Sequence, residues 1–336
     1  MRKDVNAIDA ASAEFLFTGR PSGTAKVARG ARLEPELSRM IRVPGGKIYV
    51  RVNGNLRSGK PPIVFLHGGP GSSHWYFLNA TALADERAVI LYDQLDSGLS
   101  DHPDDPTNWH VNRFVEELDC VASALDVDRW HVLGTSWGAA VALEYAVSTP
   151  ERMSSLILSS PAISTNLWLR DCNRLIEEMP ASVREVLQSD FTLDDVGTTP
   201  VSDAIDVYHW AHVQRLDAPR EVKQYQLKMP ETFNPNVYNF MWGPEEFLAT
   251  GVLRDYDATE MLQFIDGRRT LFLAGEDDEA RPSTVASFAA IANGTFREIL
   301  EAAHLIMNDN PDASLAVLRS WLAQMDETVG PHGWNG

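Results

Sequence analysis

Two cysteines in 336 residues, Cys120 and Cys172, are too few to staple a chain of this size. A disulfide-built scaffold is excluded, and both thiols read as small residues of helical segments, buried or half-buried. No run approaches the ~18 uninterrupted apolar residues that a membrane-crossing helix needs. Basic residues are scarce: 29 Lys plus Arg stand against 47 Asp plus Glu, a formal net charge of −18. Such a chain repels phosphate backbones and anionic lipid, which excludes nucleic acid and membranes as partners. The first residues are basic, but Asp4, Asp9 and Glu14 fall where a secretory leader carries its apolar stretch. The expected setting is the cytoplasm. With 44% hydrophobic and 23% charged residues, the chain can bury a sizeable core and is not globally disordered.

Residues 1–36 lack sustained periodicity and contain breakers (Gly19, Pro21, Gly23, Gly30), so they read as an N-terminal arm outside the main core. From Arg42 two strands are expected about a Pro44-Gly45-Gly46 turn, with Ile48, Val50 and Val52 alternating as in a half-buried strand. Short apolar runs then alternate with helical stretches. The segments PIVFLHGG at 62–69 and AVILYDQ at 88–94 read as strands buried on both faces. Phe114, Leu118, Val121 and Leu125 lie at helical spacing between them and the next strands. This rhythm predicts an α/β fold with a mostly parallel sheet and helices on both faces. It stops near Pro161 and returns with the strand RTLFLAG at 269–275. A core of 37–161 and 257–328 is therefore expected, interrupted by a helical insertion at 162–256, with a loose tail from 327.

The sharpest motif is Gly134-Thr135-Ser136-Trp137-Gly138 between an expected strand and helix. A nucleophile on a tight strand-to-helix turn needs small neighbours, and the helix N-terminus offers backbone N–H groups to developing negative charge. Upstream, His67-Gly68-Gly69-Pro70-Gly71 follows a strand, and its glycines allow close backbone approach to a substrate. The N–H groups of Gly69 and Trp137 are the expected oxyanion hole, and His67 reads as a structural residue of the loop. A serine nucleophile needs a base oriented by an acid, in the order Ser, acid, His for this fold. His304 follows the last expected strand; His209 and His212 fall in the insertion, without the further ligands a metal site needs. Four acids, Glu276 to Glu279, follow the returning strand, and spacing alone does not choose among them.

Taken together, HGGPG at 67–71, YDQLDSGLS at 92–100, GTSWGA at 134–139, GEDDEARP at 275–282 and AAHLIMNDNP at 302–311 resemble the α/β-hydrolases of the proline iminopeptidase family, which includes tricorn-interacting aminopeptidases and amino-acid amidases. The resemblance covers about 42–325. It implies the α/β-hydrolase fold, with the insertion as a helical cap, and Asp278 as the acid of a triad with Ser136 and His304. It also implies that Glu246, in the segment Tyr238–Phe247, and Glu279, directly after the acid, bind a substrate's free α-ammonium. Tyr238 and Trp242 flank Glu246 in that segment and are placed near the pocket. The sequence departs from the family at Leu95 and Asp96, where Arg and Gly are usual, and at Ala139, where a second Gly is common. Asp96 reads as a cap on the following turn.

The expected activity is that of a serine hydrolase cleaving the amide bond after an unblocked N-terminal residue through an acyl-enzyme, acting on small peptides or amino-acid amides with no cofactor or metal. A carboxylesterase or lactonase on the same triad is the alternative, since the chemistry is shared and only the pocket decides. A non-catalytic binding module on this fold is disfavoured by the intact Ser136, Asp278 and His304.

Overall fold

The computed structural model describes residues 23–189 and 198–328. Residues 1–22 of the arm, 190–197 of the insertion and 329–336 of the tail lie outside the described residues. Eight strands form one sheet: β1 (Leu37–Val43), β2 (Gly46–Asn53), β3 (Ile63–Leu66), β4 (Val89–Tyr92), β5 (Trp130–Thr135), β6 (Met153–Ser159), β7 (Thr270–Gly275) and β8 (Thr295–Ile299). Their order is β1-β2-β4-β3-β5-β6-β7-β8. β1 and β2 pair antiparallel, as do β2 and β4; every other pair is parallel.

Strands β3 to β7 are buried at every residue, which is why their sequences run apolar instead of alternating. The two faces still separate by the period of the pleat. Val64 and Leu66 join the apolar cluster under the helices Val111–Leu125, Trp137–Ser148 and Pro282–Ala292. Ile63 and Phe65 join the opposite cluster, under the 3₁₀ segment His74–Asp85 and the helix Pro311–Thr328. That last helix takes in residues 327 and 328, two positions past the point where the tail was expected to begin, because Leu318, Trp321, Leu322 and Met325 bury one face against the sheet.

Between β6 and β7 the described residues add no strand to the sheet. They form helices at Thr165–Glu178, Ala181–Leu187, Thr199–His212, Arg220–Gln226 and Pro235–Met241. Trp168, Ile176, Tyr208, Val237 and Met241 bury their side chains in the same cluster as the core, so the insertion packs directly on the core.

β2 departs from the expected half-buried strand. Ile48, Val50 and Val52 are buried, but so are Arg51 and Asn53 on the other face. The cause is the described part of the arm, which lies across that face. Arg51 donates to the Arg32 carbonyl at 3.2 Å, to Asn53 Oδ1 at 2.7 Å and to the Tyr225 hydroxyl at 3.0 Å. The Asn53 amide donates to the Glu34 carbonyl at 2.9 Å. The arm also reaches both core and insertion: Ala28 N–H donates to Asn79 Oδ1 at 2.8 Å, and Ala25 N–H to the Asp217 carbonyl at 2.8 Å.

Candidate active site

Parallel strands deliver their following loops to one edge of the sheet, where sites of this architecture form. The loops after the neighbouring strands β3, β5, β6, β7 and β8 carry, in spatial order, Gly69, Ser136, Ser160, Asp278 and His304. Ser136 has φ +57° and ψ −123°, a left-handed conformation that a non-glycine residue adopts only under local constraint. The two motif glycines supply the room. A Cβ on Gly134 would lie 2.1 Å from the Gly138 carbonyl oxygen, and one on Gly138 would lie 2.3 Å from the Leu66 carbonyl oxygen. Both neighbours are main chain and cannot swing away. Gly138→Ala should therefore destabilise the fold by about 3 kcal/mol, read as a lower denaturation midpoint, with Ser136 displaced.

The geometry sorts the four acids after β7. Asp278 Oδ1 lies 2.9 Å from His304 Nδ1, and its other oxygen accepts from the Ser160 hydroxyl at 2.6 Å and from Gly275 N–H at 3.0 Å. Glu276 turns back to accept from Glu301 N–H at 3.0 Å. Asp277 pairs with Arg215. Glu279 is buried, 3.9 Å from His304 Nδ1. An ionised Asp278 fixes the proton of His304 on Nδ1 and leaves Nε2 as the acceptor. Burial alone would lower the imidazole's basicity; the charge and hydrogen bond of Asp278, then Glu246, outweigh it and raise its pKa above the ordinary 6.5.

The loop after β3 packs directly against the Ser136 turn: a Cβ on Gly68 would lie 2.9 Å from Ser136 Cβ. Gly69, at φ +103°, and Trp137 both line the cleft that contains Ser136. His67 is fully buried. Its Nε2 accepts from Gln94 N–H at 2.9 Å, and burial first of all pushes its pKa down to about 4, so it stays neutral. Gln94 in turn donates to the His67 carbonyl at 2.9 Å and accepts from the Trp137 indole at 3.0 Å, locking the glycine loop to the nucleophile turn.

The insertion closes the other side. Glu246 lines the cleft with Trp168 and Trp242. Tyr238 is not on the wall; its hydroxyl is buried beside Glu246. Burial raises the Glu246 carboxyl above its usual range against the opposing pull of His304 and His209. Glu279 is raised well above that range by burial, then by the charges of Glu246 and Asp278, and neither of its oxygens has a hydrogen-bond partner among the described residues. Glu279 does not line the cleft; it lies buried behind it, close enough to Glu246 for the two acids to repel, and an unpartnered buried carboxylate is costly without a cation.

Trp168, on the helix Thr165–Glu178, links these parts. Its indole donates to the Glu246 carbonyl at 2.9 Å, and its ring meets His304 edge-on at 5.5 Å between centroids. His209 and His212 take separate tasks: His209 Nε2 lies 3.4 Å from Glu245, and His212 Nδ1 lies 2.8 Å from the Asp277 carbonyl. The His212 carbonyl accepts from Glu279 N–H at 3.3 Å and His304 N–H at 3.1 Å, and the Val213 carbonyl from Leu305 N–H at 2.9 Å. Asp309 adds a further clamp, accepting from Ala303 N–H at 2.9 Å and Arg215 N–H at 3.0 Å.

At the two departures from the family pattern, Leu95 is buried in the core. Asp96, at φ +62°, accepts from the Trp109 indole and from Asp104 N–H, each at 2.8 Å. The carboxylate thus ties down the loop that follows it.

A sheet of this order, with a serine in a constrained turn after β5 and a His–Asp pair after β8 and β7, defines an α/β hydrolase. The family model described as alpha/beta hydrolase fold matches residues 61–311. The proline iminopeptidase of Heyndrickxia coagulans is 37% identical over 287 residues, covering 84% of this chain and 97% of that protein. That of Lactiplantibacillus plantarum is 32% identical over 289 residues, 84% and 99%. Among solved structures, proline iminopeptidase from Mycobacterium smegmatis superposes with a TM-score of 0.78 at 31% identity, covering 87% of this chain and 99% of that one. VinJ superposes at 0.79 with 30% identity, covering 87% and 100%. The chain belongs to the proline iminopeptidase family, and is an aminopeptidase-type hydrolase. Among the described residues no helix is long and apolar enough to cross a membrane.

Proposed function

We propose that Ser136, His304 and Asp278 form the catalytic triad of a cytoplasmic enzyme that removes an unblocked N-terminal residue from small peptides or amino-acid amides. The observation that carries this reading is the 2.9 Å pair of His304 Nδ1 and Asp278 Oδ1, at the sheet edge where Ser136 stands at positive φ. His304 Nε2 takes the Ser136 hydroxyl proton as Oγ attacks the amide carbonyl, and the resulting oxyanion is held by the N–H groups of Gly69 and Trp137. His304 then gives that proton to the leaving amine as the C–N bond breaks. Water, deprotonated by the same imidazole, attacks the acyl-enzyme and frees the acid and Ser136.

Glu246 on the cleft wall, with Glu279 buried beside it, would hold the substrate's α-ammonium, whose charge would offset the repulsion between the two acids. Trp242 walls the same space, with Tyr238 behind Glu246. The insertion at 162–256 acts as the cap that limits substrates to short ones. The test is turnover of proline, alanine, leucine and phenylalanine nitroanilides, each free and N-acetylated, beside a p-nitrophenyl ester. Free amides should be cleaved and acetylated ones should not. Ester cleavage with indifference to the free amine would replace this reading with a carboxylesterase or lactonase.

A further inference from the structure

The turn that follows β6 touches every member of the proposed triad. Ser136 N–H donates to the Ser159 carbonyl at 3.0 Å, and Ala162 N–H donates back to the Ser136 carbonyl at 3.3 Å. Between them Ser160 is fully buried at φ +48°, its own N–H donating to the Leu273 carbonyl of β7 at 2.7 Å. From that left-handed conformation its hydroxyl reaches Asp278 Oδ2 at 2.6 Å and the His304 carbonyl oxygen at 3.2 Å. A serine with its single proton serves the shorter contact, to the carboxylate. A non-glycine residue held at positive φ in a fully buried turn needs a compensating interaction, and this hydroxyl makes one to the carboxylate of Asp278.

We infer that Ser160 is a positioning residue for the hydrolytic reaction, its hydroxyl holding the Asp278 carboxylate so that Oδ1 faces His304 Nδ1. This rests on the triad assignment proposed above. Asp278 oxygens accept from Ser160, Gly275 N–H and Ala280 N–H, the last at 2.9 Å. The two amides fix the height of the carboxyl in its loop. Ser160 is the one side-chain donor besides His304 in that set, and it comes from a different strand, so it fixes the carboxyl against the strand next to the nucleophile. It also draws part of the carboxylate's charge away from the imidazole. The other charged groups facing His304, Glu246 and Glu279, are untouched by a change at position 160.

Two variants separate the hydroxyl from the backbone. Ser160→Ala removes the hydroxyl and keeps the strained φ; Ser160→Gly removes the hydroxyl and relieves the strain. If the hydroxyl positions the acid, both should lower kcat on a free-amine nitroanilide by about tenfold to a hundredfold, with KM within about twofold. Both should also shift the acid limb of the kcat/KM profile upward by about half a pH unit, because the full carboxylate charge then bears on the imidazolium. Thermal melts would show both variants folded. Full activity in Ser160→Gly alone would assign the effect to backbone strain and overturn the inference. So would a loss of activity in both with an unmoved acid limb, or no loss in either. The rate of fluorophosphonate labelling of Ser136 against pH gives a second readout that needs the triad but no peptide substrate. Slowed labelling in both variants of a protein that cleaves no nitroanilide would retain the role of Ser160 and discard the aminopeptidase reading. A parent protein that is not labelled would discard the triad and this inference with it.

Discussion

Ser136→Ala should lower kcat on a free-amine nitroanilide by about 10⁴-fold or more, since the oxyanion donors and the binding groups that remain provide only residual catalysis. The fold should not change. Alanine tolerates positive φ no better than serine does, and among the described residues no buried hydrogen bond runs through Ser136 Oγ, so melting temperatures should agree within about 2 °C. Asp278→Asn should cost about 10⁴-fold as well, by favouring the wrong tautomer of His304 at an otherwise unchanged site. In the parent enzyme kcat/KM should rise with pH through an apparent pKa above the ordinary histidine value of 6.5. The neutral imidazole is the active form, and Asp278 and Glu246 hold the proton on against the effect of burial. A steady-state pH profile checks this, and an acid limb below 6.5 would contradict it.

Glu279→Gln should separate function from stability. On a free-amine substrate kcat/KM should fall by about 10²–10³-fold, the usual consequence of removing one partner from a buried charge pair. On a p-nitrophenyl ester with no ammonium it should change little. Stability should move the other way. Glu279 is buried with both oxygens unpartnered, and its folded-state pKa is raised by burial and by Glu246 and Asp278. For an acid with a raised folded pKa, the contribution to stability is most favourable below the unfolded value, ordinarily 4.5. It is lost as pH rises from there through the folded pKa. Removing the charge should therefore raise stability at pH 8 by about 1–2 kcal/mol, measured by urea denaturation, and flatten the pH dependence. Glu246→Gln should give the same substrate-dependent loss. Equal losses on amine and ester substrates would show that these carboxylates do not act as amine anchors.

Parts of this site were legible because chemistry constrained the residue types. Gly134 and Gly138 are dictated by carbonyl oxygens that would collide with any Cβ, so the nucleophile turn leaves a signature in the sequence. His304 could be picked by its place after a strand. Asp278 could not be separated from Glu276, Asp277 and Glu279 by spacing, because a loop can present any of four adjacent side chains; family likeness chose it, and geometry gives each of the others different surroundings. Trp168 is one of several aromatic residues in the insertion, and nothing in its residue type marks it as the neighbour of His304. The bonds from His212 and Val213 to the loops of Glu279 and His304 use main-chain carbonyls, which every residue has, so no pattern of side chains announces them. On β2, alternation correctly marked Ile48, Val50 and Val52 as buried. It also implied solvent on the opposite face, because nothing in a two-residue period reveals that a distant segment will fold over Arg51 and Asn53.

The seam between the insertion and the base has a mechanical consequence. Three amides, those of Glu279, His304 and Leu305, hang on two consecutive carbonyls, His212 and Val213, at the end of one helix of the insertion. Lifting that helix far enough to admit a long polypeptide would release the main chain of His304 in the same motion and disarm the imidazole. On the proposed triad the arrangement would act as an interlock: a mouth wide enough for a folded protein and an aligned base would be alternative states, and a bulky chain would meet a disengaged catalyst.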